Sequence, residues 1–142
     1  MVNYIGFFNL ALDEKKRFFL PKPWKQEKRF VLTLGLDNCL LVYPDKKWGE
    51  VLEKLKALSW TKETHRKFLR LFLSRAKEVE GDNQGRILIP PDLAELARIK
   101  KRIVFLGLID RSEIWAEELF RKYEAQAKTA FTKLAEQLEI NI

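Results

Sequence analysis

With 46% hydrophobic and 33% charged residues, a chain of 142 residues can build one packed core or two small halves that share one, which excludes the disordered and collagen-like classes. One cysteine, Cys39, and one histidine, His65, rule out an internal disulfide and a Cys/His metal cluster, and this composition suits a reducing cytoplasm. The 27 Lys and Arg against 20 Asp and Glu leave +7, unevenly placed: residues 1–77 hold 17 basic and 8 acidic side chains, residues 78–142 hold 10 and 12. Such asymmetry fits a polyanionic partner or a merely solvated basic surface.

The N-terminal stretch Met1–Lys16 has no basic start before its apolar run and no small-residue cleavage site, so no signal peptide is expected. No apolar run approaches the roughly 20 residues that crossing a bilayer takes. Ile5, Phe7 and Phe8 predict a strand, Glu14-Lys15-Lys16 a turn, and Phe18-Phe19-Leu20 a second strand. Arg29–Gly35 and Asn38–Tyr43 read as a second hairpin around Leu36-Asp37. From Asp45, an N-cap after Pro44, apolar Trp48, Val51, Leu52, Leu55 and Leu58 recur at helical spacing. Another amphipathic helix, from about Thr61 to Ala76, is expected to bury Phe68, Leu69, Phe72 and Leu73.

The same order then returns. Asn83-Gln84-Gly85 is a turn between the Val79 segment and Arg86-Ile-Leu-Ile, with glycine where a hairpin needs positive φ. Asp92–Ala97 reads as a short helix with proline near its start. Arg102–Leu108 and Arg111–Trp115 form a hairpin around Ile109-Asp110. A last helix runs from about Ala116 nearly to the end, with Phe120, Tyr123, Ala127, Ala130, Leu134 and Leu138 close to a heptad. That stripe suits either the chain's own sheet or another subunit.

The return is a true repeat. Asp13-Glu-Lys-Lys-Arg17-Phe-Phe-Leu-Pro21 matches Asp82-Asn-Gln-Gly-Arg86-Ile-Leu-Ile-Pro90 at an offset of 69. Val31-Leu-Thr-Leu-Gly35 then parallels Ile103-Val-Phe-Leu-Gly107, and Leu41-Val-Tyr43 parallels Glu113-Ile-Trp115, both at 72. The slip of three is read as an insertion in the first copy.

Gly6-Phe7, Leu12-Asp13 with Lys15 and Arg17, Pro21, Leu32-Thr33-x-Gly35, Leu40, Tyr43-Pro44, Trp48, Asp82-x-x-Gly85-Arg86-Ile-x-Ile-Pro90 and Trp115 together resemble the MraZ family over nearly the whole chain. The resemblance implies an α+β fold: a duplicated AbrB-like swapped-hairpin or double-split β-barrel with flanking helices. On that reading residues 1–60 are the first repeat with its helix, 61–75 a connecting helix, and 76–142 the second repeat with the C-terminal helix. It also implies ring-like homo-oligomers that bind repeated double-stranded DNA elements upstream of the bacterial division and cell-wall gene cluster. A cytoplasmic, nucleoid-associated protein without cofactor, membrane partner or small-molecule substrate is the expectation.

The family signature Asp-x-x-x-Arg falls on Asp13 and Arg17 and again on Asp82 and Arg86. Lys16 departs by replacing the glycine before the first arginine, which puts that turn's shape in question. Lys15-Lys16-Arg17 gathers three cations at one hairpin tip, where phosphate contact is sterically easy, whereas Arg86 lacks cationic neighbours. Arginine can span guanine O6 and N7 with two parallel hydrogen bonds, and an adjacent aspartate would restrict its rotamers beforehand. The same Asp and Arg could equally serve only to pin the turn. Candidate DNA contacts are therefore Asp13, Lys15, Lys16, Arg17, Asp82 and Arg86.

Two other classes compete. No catalytic group is expected: Cys39 lies in an apolar strand, His65 among charged helix residues, and Glu117-Glu118 on a helix surface. No phosphate loop, dinucleotide fingerprint or nucleophile elbow is present. A protein-interaction module of the AbrB-like antitoxin type would carry one hairpin unit and a disordered tail, whereas this chain has two units and a heptad-like tail.

Overall fold

The computed structural model describes residues 3–142; Met1 and Val2, with which the expected first repeat of residues 1–60 begins, lie outside the described residues. Strand β1 (Tyr4–Ala11) leaves its own copy and pairs antiparallel with β7 (Arg102–Ile109) of the second, Tyr4 opposite Ile109 and Ala11 opposite Arg102. Reciprocally, β5 (Lys77–Glu80) of the second copy pairs with β3 (Arg29–Leu34) of the first. With β4 (Leu40–Pro44) and β8 (Ser112–Ala116) these form one antiparallel sheet, in the order β1-β7-β8-β4-β3-β5. The short strands β2 (Arg17–Phe19) and β6 (Arg86–Leu88) make a separate two-stranded ribbon over the same core. The result is the swapped-hairpin α+β fold.

Two pairings locate a pseudo-two-fold axis. Phe18 lies opposite Ile87 and Leu41 opposite Glu113, so each faces its own counterpart in the other copy. The offsets of 69 and 72 read from the repeat are the registers of these two strand pairs. Strands β3 and β7 obey a different offset. Thr33 pairs with Leu41 and Leu106 with Glu113, so the counterpart of Thr33 is Leu106 and that of Leu34 is Gly107. The alignment of Gly35 with Gly107 is one residue out, and such a slip exchanges the two faces of a strand. At the corrected register Phe30 and Leu32 match Ile103 and Phe105, all four in the main core.

Loop lengths explain the slip. The first hairpin turns through Leu36–Asn38, closed by the Gly35 amide donating to the Cys39 carbonyl at 2.8 Å. The second needs only Ile109-Asp110, closed by the Leu108 amide on the Arg111 carbonyl at 2.8 Å. Between Pro90 and Ile103 the second copy has four more residues than the first has between Pro21 and Phe30. There α3 (Pro91–Leu96) replaces the 3-10 turn Lys22–Gln26. The net insertion of three thus belongs to the second copy, which corrects its assignment to the first.

Trp24 fills the core from the first copy's 3-10 turn. It stacks on Tyr4 at 4.8 Å, meets Phe105 edge-on at 5.0 Å and Phe8 at 5.4 Å. Its indole N–H donates to Ser112 Oγ at 2.7 Å, satisfying one of the few buried polar groups.

The helices depart from expectation where they leave the sheet. Helix α1 (Asp45–Leu55) has Pro44 at its cap position without a side-chain bond, and Asp45 is its first residue rather than its cap. Helix α2 (Glu63–Ser74) buries only Phe72, whose carbonyl accepts the Thr33 hydroxyl at 2.6 Å; Leu69 is half-buried, and Phe68 and Leu73 are exposed. Nothing else among the described residues covers that outer face. The last helix is two: α4 (Glu117–Thr129) and α5 (Phe131–Gln137), broken at Ala130 (φ −101°, ψ 4°) between the poor helix formers Thr129 and Thr132. Phe120 packs on Trp115, while Phe131, Leu134 and Leu138 are exposed. No helix among the described residues is long and apolar enough to cross a membrane.

Replacing Trp24 by Ala is expected to cost about 3–5 kcal/mol of folding stability, and replacing the exposed Trp60 by Ala less than about 1 kcal/mol. Chemical unfolding of the two variants checks this; equal losses would contradict the core assignment.

Candidate nucleic-acid interface

Each signature closes its turn in the same way. The Asp13 amide donates to the Arg17 carbonyl at 2.9 Å and the Lys16 amide to the Asp13 carbonyl at 3.0 Å. Asp13 Oδ1 accepts the amides of Lys15 and Arg17, both at 2.9 Å, and Oδ2 accepts Arg17 Nε at 2.8 Å. In the second copy Asp82 Oδ1 accepts the amides of Gln84 and Arg86 at 2.9 and 2.8 Å, and Oδ2 accepts Arg86 Nε at 2.8 Å. The backbone amide of the arginine holds each carboxyl below the ordinary aspartate range, helped by the guanidinium and by the Lys15 or Gln84 amide, with partial desolvation opposing.

The departure at Lys16 leaves the turn's shape intact. Lys16 keeps the left-handed conformation (φ 63°) that Gly85 adopts in the second copy (φ 78°). A side chain there costs on the order of 1 kcal/mol. Its ammonium donates to the Lys100 carbonyl at 2.6 Å and Arg17 is held by Asp13 through Nε, so of the three clustered cations only the Lys15 side chain is untied among the described residues.

The ribbon brings the two motifs together, which their sequence positions do not reveal. Phe18 and Ile87 point into the core, so Arg17, Phe19, Arg86 and Leu88 share the outer face. Arg86 lies over the Phe19 ring at 5.8 Å, and its Nη1 stands 3.7 Å from Asp13 Oδ2 in the other copy. A hollow of about 400 Å3 is lined by Leu10–Asp13, Arg17, Phe19 and Arg86. Phe19 and Leu88, 56% and 44% exposed, were not among the expected site residues. Their only signal in sequence is the alternation that sends Phe18 and Ile87 inward.

Because Nε of each guanidinium is committed to its aspartate, the two terminal nitrogens of Arg17 have no hydrogen-bond partner among the described residues. That pair of donors is the fork that can span two acceptors on a base edge or a phosphate. Arg86 is more constrained by its second carboxylate and by Phe19.

The other chemically notable side chains lie apart from this face. Cys39 is buried, its thiol donates to the Leu36 carbonyl at 3.1 Å, and burial pushes its pKa up. His65 Nδ1 accepts the Ser59 amide at 2.9 Å. Glu117 accepts from Asn9 at 2.6 Å, which lowers its pKa.

The fold and site define a class: a single chain built as a fused pseudo-dimer of swapped hairpins, with two Asp-x-x-x-Arg turns meeting on its axis. The family model for MraZ protein, described as antitoxin-like, matches residues 4–71 and again 72–140. Proteins named transcriptional regulator MraZ are similar to this chain. The one from Desulforamulus reducens is 44% identical over 137 residues, covering 95% of this chain and 96% of the relative. That from Thermoanaerobacter pseudethanolicus is 44% identical over 141 residues, covering 97% and 99%. That from Carboxydothermus hydrogenoformans is 40% identical over 137 residues, covering 95% and 96%. This chain belongs to the MraZ family.

A carboxylate whose folded pKa is depressed contributes stability that is complete above its unfolded pKa and lost as pH falls through the folded value. Asp13 and Asp82 therefore stabilise the fold above the ordinary value of 3.8 and progressively cease to do so below it. Asp13→Asn or Asp82→Asn is expected to be less stable than wild type at neutral pH and to show a flatter loss on acidification, measured by urea unfolding from pH 7 downward. Lys16→Gly is expected to gain about 1 kcal/mol in the same assay; a loss would contradict the strain at that turn.

Proposed function

We propose that this protein is a sequence-specific DNA-binding transcriptional regulator, cytoplasmic and nucleoid-associated. It binds repeated promoter elements upstream of the division and cell-wall gene cluster through its Asp-x-x-x-Arg turns, displayed on a ring-shaped homo-oligomer. The names of its relatives support the regulatory role. The observation that carries the chemistry is the pair of signature arginines on one exposed face, with the free fork of Arg17 preorganised by Asp13. Arg17 and Lys15 make the principal contacts, Arg17 to a base edge and Lys15 to phosphate. Arg86 supports the face through Phe19 and Asp13. In a ring, adjacent subunits engage adjacent elements, so individually weak contacts act together through effective concentration. The exposed stripe Phe131, Leu134 and Leu138 favours self-association over a free antitoxin-like tail.

Fluorescence anisotropy with the DNA upstream of the protein's own gene tests this. Wild type is expected to prefer that DNA over a scrambled duplex. Arg17→Ala should lose about 1–3 kcal/mol on the upstream DNA and most of the preference, while remaining folded. Equal binding of both duplexes by wild type, removed from both by salt, would reduce the face to an electrostatic surface.

A further inference from the structure

Two basic segments outside the signature are fastened to its turns by matching backbone bonds. The Leu12 amide donates to the Lys101 carbonyl at 2.8 Å, and the Gly81 amide donates to the Lys28 carbonyl at 2.9 Å. Leu12 and Gly81 are counterparts at the offset of 69, and Lys28 and Lys101 are counterparts at the corrected register of β3 and β7. At that register Lys25 matches Arg98. The Lys25 side chain runs over the second turn, its Cε 3.3 Å from where a Cβ on Gly85 would stand. Arg98 closes α3 in a left-handed conformation (φ 57°), two residues before the carbonyl that holds Lys16.

These cations differ from the two arginines that open β3 and β7, although Lys22 and Lys100 are likewise exposed and without an ion pair among the described residues. Arg29 Nε lies 4.0 Å from Glu78 Oε1, while Arg102 Nε donates to Asn9 Oδ1 at 3.0 Å and stands 3.5 Å from Glu117 Oε2. Lys25, Lys28, Arg98 and Lys101 are exposed and form no ion pair among the described residues. Four cations without an ion pair thus form two related pairs, with the carbonyls of Lys28 and Lys101 fixed to the turn segments; Lys25 and Lys28 share a hollow with Glu27, Glu80 and Asp82, and Arg98 and Lys101 one with Glu117 and Glu118.

We propose that these pairs, Lys25 with Lys28 and Arg98 with Lys101, are two phosphate-gripping shoulders that seat one chain symmetrically across both strands of a DNA duplex. The proposal rests on the DNA-binding reading above and adds a division of labour to it. A duplex backbone has local two-fold symmetry whatever its sequence, so a pseudo-two-fold protein can meet both strands with equivalent cations. The arginines between the shoulders then read bases on a surface whose register the phosphates have already set. Neutralising a phosphate releases condensed counterions, which makes the shoulders' contribution visible as salt dependence.

The test uses the full chain carrying Lys25→Gln, Lys28→Gln, Arg98→Gln and Lys101→Gln together. Its charge-matched control carries Lys46→Gln, Lys54→Gln, Lys62→Gln and Lys133→Gln, all exposed on or beside the helices. Anisotropy titrations of both against upstream and scrambled duplexes across a salt series give the slope of log affinity against log salt. The shoulder variant is expected to flatten that slope by roughly 3 to 4. It should weaken both duplexes by the same factor and keep the wild-type preference within about twofold. Circular dichroism confirms that both variants are folded. A slope changed by less than about 1, or by no more than the control changes it, overturns the shoulders while leaving the base-reading arginines standing. A lost preference with an unchanged slope also overturns them. A wild type that binds both duplexes equally overturns the regulator reading alone, and one that binds neither overturns both.

Discussion

The register of the β2·β6 ribbon governs the rest of this molecule. With Phe18 opposite Ile87, both apolar side chains reach the core from either side of the pseudo-axis, and Arg17 and Arg86 are left on the outside. A slip of one residue in either strand would turn a guanidinium inward and an aromatic or branched side chain outward. Burying an unpaired cation costs several kcal/mol, far more than a three-residue strand can recover. The ribbon is thus held in register by what it must keep wet as much as by what it buries. Everything functional on this face inherits its position from that choice.

The pairing also reconciles two readings that the sequence leaves open, in which Asp13 and Asp82 either pin a turn or hold an arginine for DNA. One carboxylate can serve both, because its two oxygens have different partners. Oδ1 takes two backbone amides and so shapes the turn, while Oδ2 takes Nε of the arginine. The bond to Nε is the one that leaves the terminal nitrogens available, so the aspartate orders the guanidinium without occupying its fork. The carboxylate subtracts a charge from a basic face, yet it removes rotamer freedom that would otherwise be lost on binding.

Local chemistry was readable from the chain; partnership was not. The positive φ at Gly85, the proline-led α3 and the two-residue turn at Ile109-Asp110 all follow from residues within a few positions of one another. The offset of 69 even states the register of β2 against β6, but only to a reader who already knows that these strands pair across copies. Alternation says which face of a strand is apolar and nothing about which strand lies beside it. The one-residue misalignment of β3 with β7 has the same origin, since matching Gly35 to Gly107 hid one extra loop residue in the first copy and four extra residues in the second. The helices failed for another reason. Phe68, Leu73, Leu134 and Leu138 carry correct helical periodicity, but among the described residues no surface covers them. Dividing charge between the two halves of the sequence likewise misjudged the face, because strand exchange brings Lys100 and Lys101 from the net-acidic half beside the first signature turn.

Duplication within one chain gives this architecture a freedom that two identical subunits lack. Two separate hairpin units would pay several kcal/mol in lost translational and rotational freedom to assemble the same dyad, whereas the covalent link through α1 and α2 removes most of that cost. It also lets the halves diverge. Lys16 stands where the second copy has Gly85, and among the described residues Arg86 alone of the two signature arginines reaches across to the other copy's aspartate. The symmetric parts are the backbone bonds, the core pairing and the anchored lysines, which suit the symmetric backbone of a duplex. The asymmetric parts are the side chains nearest the axis, where a base sequence without two-fold symmetry would have to be read. A pseudo-symmetric scaffold with a broken centre can therefore orient itself on DNA, which an exact dimer cannot do.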